Sequence, residues 1–109
     1  MAHAIIYLSS TSKRTYTMNF ADVMPSSDSI LVDIGAGSTI TATKSDGTDV
    51  SSTILTSKTR TGLTLIVTIS SLTDGEEYRI RFHAQGTTSS GQEDKVLEIR
   101  CRDKIEGGF

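Results

Sequence analysis

The chain has no tryptophan, one proline, one cysteine, three tyrosines and three phenylalanines in 109 residues. With Cys101 alone, no intramolecular disulfide can form, so the fold must rest on its core, and assembly in a reducing compartment is expected. Long apolar runs are missing too. The cluster Ile5, Ile6, Tyr7, Leu8 near the N-terminus falls short of the roughly 7–15 residues of a signal h-region. No span approaches the ~18 apolar residues of a membrane helix, so a soluble protein without an address label is expected. Neither charge sign dominates: 11 Lys and Arg against 13 Asp and Glu give a net charge of −2, and the two signs are interspersed. That balance argues against a nucleic-acid track or a polybasic membrane segment.

What the sequence does contain is Ser and Thr from end to end, with Val and Ile between them. β-branched residues suit pleated, half-buried surfaces, and Ser/Thr clusters make turns. Ala- and Leu-rich helical stretches are missing. The length fits one domain with a single modest core. All-β is the expected class.

Alternation then places the strands. "TYTMNF" sets Tyr16, Met18 and Phe20 on one face, the period-two signature of a half-buried strand. Pro25 and the Ser/Asp residues after it break the pattern. Ile30, Val32 and Ile34 alternate, and Ile40 and Ala42 resume beyond Gly35 and Gly37, which reads as one bent strand or two close together. Asp46-Gly47 is a hairpin signal, with Val50 and Ile54 in weaker strand material after it. "TLIVTIS" directs Leu65, Val67 and Ile69 one way and reads as the middle of a sheet. "EYRIRFHAQG" turns Tyr78, Ile80, Phe82 and Ala84 inward, and "KVLEIRCRD" does the same with Leu97, Ile99 and Cys101. Arg79 and Arg81 fall on the opposite, solvated face. The sum is about seven strands with turn signals every eight to twelve residues, the spacing of a β-sandwich.

Leu72, Gly75 and Tyr78 stand three residues apart just before the strand at Ile80. Where a chain crosses between the sheets of a sandwich, a leucine can plug the end of the core and a glycine can supply positive φ. A tyrosine can then tie its hydroxyl to the crossover backbone. These three residues are expected to form such a structural corner. The Leu-x-x-Gly-x-x-Tyr spacing resembles that of fibronectin type III and related immunoglobulin-like domains, which implies a β-sandwich of that kind.

Catalytic chemistry is hard to find. "GAGSTITA" lacks the third glycine and the Lys-Ser/Thr pair of a phosphate loop. His3 and His83 are isolated, with no Cys or second His at ligand spacing. Asp33, Asp46 and Asp49 lack the ordered pattern of an EF-hand. The pairs Glu76-Glu77 and Glu93-Asp94 read as solvated turns, and nothing forms a nucleophile, base and orienter set. A non-enzyme with no cofactor, no metal and no small-molecule substrate is expected. Two apolar ends remain. Residues 1–12 read as a docking arm or an edge strand, 13–104 as the sandwich and 105–109 as a tail, with Phe109 following Gly107-Gly108. Ile5, Ile6, Tyr7, Leu8 and Phe109 are therefore the candidate docking residues, and strand addition is the mode an exposed edge suits.

The segments "YTMNFADVMPSSDSI" (16–30), "TGLTLIVTISSLTDGEEYRI" (61–80) and "KVLEIRCRDK" (95–104) together resemble the small immunoglobulin-like virion proteins of tailed bacteriophages, the fibre–tail adaptor family among them. The resemblance implies a virion structural protein that joins tail or neck to fibres or other tail proteins, in several symmetric copies. It implies assembly in the host cytoplasm, other virion proteins as partners, and neither nucleic acid nor membrane. The rival expectations are a capsid-decorating or glycan-binding module, which needs a cluster of exposed aromatics, and an accessory domain of an enzyme complex.

Overall fold

A computed structural model describes residues 2–24, 30–88 and 91–103. Seven strands occur among them, in two sheets. The first sheet holds β1 (Ala2–Leu8), β7 (Gln92–Cys101), β6 (Glu77–Gln85) and β3 (Thr39–Lys44), in that order. The second holds β2 (Arg14–Asn19), β5 (Thr64–Ile69) and β4 (Leu55–Thr61). The protein is mostly β, as its composition implied.

The alternating segments supply the core. Leu65, Val67 and Ile69 of β5 are fully buried, as are Ile80, Phe82 and Ala84 of β6 and Ile99 and Cys101 of β7. β5 is the central strand of its sheet. Each inward residue removes apolar area from water at roughly 25 cal/mol per Å², and a one-residue slip would turn the whole row outward. The first and last strands pair at one side of the four-stranded sheet, with β1 at its edge. β1 lies parallel to β7 along its full length, from Ala2 opposite Lys95 to Leu8 opposite Cys101.

Three segments differ from the sequence reading. Residues 30–34 are not a strand with Ile30, Val32 and Ile34 on the core side: Leu31 is the fully buried residue and Ile30 is 43% exposed, while Ile34 does pack, partly buried, against the core. The Leu31 N–H donates to the carbonyl of Gly62 and the Val32 N–H to that of Gln85. The segment thus touches both sheets, joined to the end of β6 by a single antiparallel bridge, Leu31 to Gly86, and forming no strand of its own. Asp46-Gly47 does turn the chain, with Gly47 at φ +91, but a single bridge, Thr43 to Asp49, replaces the expected second hairpin strand. The Asp49 carboxylate accepts both the N–H (2.9 Å) and the hydroxyl (2.7 Å) of Ser51. That turn starts a short helix, α1 (Ser51–Ile54), where strand was expected. In exchange, "LTSKTRT" forms β4, a strand without apolar alternation. It is an edge strand, and its ladder to β5 shifts register between Thr56 and Thr59.

Between β5 and β6 the chain crosses from one sheet to the other. Leu72 is 5% exposed and Tyr78 4%, and Gly75 takes φ +88. The Tyr78 hydroxyl accepts the Thr73 N–H at 2.9 Å, while the Gly75 N–H donates to the carbonyl of Cys101. Leu72, Gly75 and Tyr78 are therefore brought together at this crossover, which precedes the sixth strand.

Candidate docking edge

A sandwich has four strand edges, and here they are not alike. Along β3 the edge is occupied: Lys44 N–H donates to Thr48 O, Val50 N–H to Ala42 O, and Ala42 N–H to the Ser51 hydroxyl. β4 is distorted by its register shift and by Ser57 at φ +52, and it carries Lys58 and Arg60. β2 begins with Arg14, directly after Lys13. Bulges and charge are the usual means of keeping an edge from pairing. β1 has neither: its sequence AHAIIYL holds no Asp, Glu, Lys or Arg, and its register with β7 is unbroken.

Parity on β1 divides the four candidate docking residues. Leu8 is 5% exposed and belongs to the core, and Ile6 packs against it. These two hold the strand in place: Leu8 is closed off from a partner, against the sequence reading, while Ile6 is only partly buried. Ile5 and Tyr7 point the other way, 50% and 52% exposed. Phe109, the fifth candidate, lies outside the described residues. The backbone follows the same alternation. Leu8 O accepts the Arg102 N–H of the β7 side, so the peptide groups of Ile5 and Tyr7 face the open edge.

Behind Ile5 and Tyr7 the outer face of the four-stranded sheet is polar and largely self-satisfied. Arg79 pairs with Glu98 directly across the ladder at 3.1 Å. Arg81 pairs with Asp94, which also meets His83 Nδ1 at 2.5 Å, and Gln92 Oε1 lies 2.9 Å from His83 Nε2. Arg102 reaches Glu77 at 3.2 Å. For Asp94, burial raises the pKa, but the bonds from Arg81 and His83 outweigh it and hold the carboxyl below its ordinary range. Arg100 donates to the Tyr7 hydroxyl at 3.3 Å, a contact that helps to raise its pKa further. A shallow concavity of about 310 Å³ lies over this face, lined in part by Thr43, Lys44, Arg79 and Arg100. Two of its cations meet carboxylates at hand, Lys44 with Glu76 at 3.6 Å and Arg79 with Glu98, while Arg100 meets the Tyr7 hydroxyl.

The sequence-level candidates for chemistry are dispersed into structural roles. Asp33 pairs with Arg60 at 2.6 Å, Asp46 accepts the Thr48 N–H, and Asp49 starts α1. Among the described residues no three His, Cys, Asp or Glu side chains form a metal-holding group. Cys101 is fully buried, and that burial pushes its thiol pKa up, away from thiolate chemistry.

One residue escaped the sequence reading. Lys95 shares the inward parity of Leu97, Ile99 and Cys101, and its side chain is only 9% exposed. The ammonium donates to Asn19 O at 2.7 Å and to Asp22 Oδ1 at 2.6 Å, and sits 5.3 Å from the centroid of Phe20. It clips the turn after β2 to β7, and the hydrogen bond holds the Asp22 carboxyl below its usual pKa. Extending the β7 alternation by one step would have found it.

Compared with known proteins, the chain matches no family model, no curated protein and no solved structure.

Proposed function

We propose that this protein is a non-enzymatic virion structural protein of a tailed bacteriophage, an adaptor that links tail or neck to fibres or other tail proteins. The open β1 edge carries the reading. In a strand of seven residues without Asp, Glu, Lys or Arg, the peptide groups of Ile5 and Tyr7 face away from β7 and meet no other strand among the described residues, and both side chains are half exposed, a surface that gains by strand addition. An immunoglobulin-like sandwich is the scaffold we assign to it. The strand orders, the parallel first-to-last pairing and the tyrosine tie across the crossover support that assignment. In this reading the protein works in several symmetric copies, assembled in the host cytoplasm, by burying surface against other virion proteins. The decorating or glycan-binding alternative gains less support: among the described residues, Tyr7 is the exposed aromatic, with no cluster around it.

The experiment is the mass in solution by light scattering, for the protein alone and mixed with the neighbouring virion proteins. A defined mixed complex is the expected result. A protein that ignores every virion protein yet binds cells or glycans would replace the adaptor reading with the adhesive one.

A further inference from the structure

We infer that the occupant of the open β1 edge is a second copy of this chain, paired β1 to β1 in antiparallel fashion about a two-fold axis. The inference rests on the assembly reading above and names the partner at that edge. An incoming strand must satisfy three conditions. It must be uncharged, since no charged side chain in β1 offers it a counter-charge. It must be apolar on its inner side, where it would cover the half-buried Ile6 at the rim of the core. It must also be apolar on its outer side, against Ile5 and Tyr7.

The stretch Ala4–Leu8 of β1, AIIYL, meets all three conditions by its residue types. The other uncharged strand among those described, β5, is already paired on both sides. Self-complementarity of this kind is what an isologous two-fold contact requires. With the axis perpendicular to the sheet, both second sheets lie on the same side, and the two four-stranded sheets join as one.

The backbone sets the register. Ile5 and Tyr7 direct their N–H and C=O groups to the free edge, because Leu8, of opposite parity, faces β7. Centring the axis on Ile6 places Ile5 of one copy opposite Tyr7 of the other, exchanging both peptide hydrogen bonds. It places Ala4 opposite Leu8, and Ile6 opposite its own counterpart as a non-hydrogen-bonded pair. The Cα atoms of such a pair lie about 4.5 Å apart, within disulfide reach.

The test is sedimentation of the full chain alone, over a concentration series reaching about 1 mM, where even a contact of about −4 kcal/mol is visible. A reversible dimer is expected, with Ile5→Lys raising its Kd at least about tenfold while leaving the melting temperature of the monomer intact. Ile6→Cys is the second variant. Under mild oxidation it should trap a covalent dimer that the wild type, with Cys101 buried, and a Thr59→Cys control on the β4 edge do not form. A monomer mass at every concentration, or no selective cross-link through Cys at position 6, overturns the inference. The adaptor reading would survive that outcome if the monomer still entered a complex with other virion proteins.

Discussion

Replacing Tyr78 with phenylalanine isolates the hydroxyl that spans the crossover between β5 and β6. The ring is 4% exposed and stays in place, so apolar burial is unchanged. What is lost is one hydrogen bond, from Thr73 N–H to Tyr78 Oη at 2.9 Å. A neutral bond of that kind contributes about 0.5–1.5 kcal/mol net, and a donor left dry and unpaired costs about 1–3 kcal/mol. Thr73 is exposed, so water can reach its N–H and the lower part of the range applies, about 1 kcal/mol. With a urea m-value of about 1–3 kcal/mol/M for a small domain, the midpoint should fall by about 0.3–1 M with m unchanged. Leu72→Ala, at the same corner and 5% exposed, sets the scale for losing packing instead, about 2–5 kcal/mol. Coincident urea curves for Tyr78→Phe and wild type, beside a clear loss for Leu72→Ala, would refute the role given to the hydroxyl and leave the corner held by packing alone.

Three further outcomes are expected. Phe82→Ala, with Phe82 fully buried between the sheets, should cost about 3–5 kcal/mol by chemical denaturation; a loss below 1 kcal/mol (about a single surface substitution) would mean the core is assigned wrongly. Lys95→Met keeps an aliphatic chain under Phe20 and removes the bonds to Asn19 and Asp22, both exposed to water. Its equilibrium cost should stay under about 1.5 kcal/mol, while amide exchange in the turn after Asn19 accelerates, a change that NMR would detect or exclude. The acid limb of stability follows from carboxyls whose folded pKa lies below the ordinary value. These are Asp22 through its Lys95 bond, Asp46 through the hydroxyl and N–H of Thr48, Asp49 and Asp103 through the N–H groups of Ser51 and Ser10, and Asp94, where bonds from Arg81 and His83 overcome burial. Such groups stabilise the fold fully above their unfolded pKa, near 4, and lose that contribution as pH falls through the lowered values. The melting temperature should therefore hold nearly level from about pH 7 to 5 and drop below about pH 4; calorimetry showing no drop by about pH 2 would contradict the assignment.

What the sequence by itself determined is local. Alternation assigned the inward faces of β5, β6 and β7, because side chains two apart on a strand must share a face. The spacing of Leu72, Gly75 and Tyr78 pointed to a corner, because a positive φ and a tied hydroxyl are demands a short segment makes on its own residues. The tertiary structure decided what depends on partners distant in the chain. Leu31, not Ile30, enters the core because it sits between Gly62, whose carbonyl accepts its N–H, and Gly86, to which it is bridged. Residues after Asp49 coil into α1 because Ser51 can bond both Asp49 and Ala42. β4 is a strand without a pattern because β5 supplies its ladder while an exposed edge leaves its other side unconstrained. β1 was legible as apolar but not as placed. Only its parallel seat on β7 separates Ile6 and Leu8, which anchor it, from Ile5 and Tyr7, which face outward. Periodicity records which side of a strand is buried, and it carries no information about which strand lies next to it.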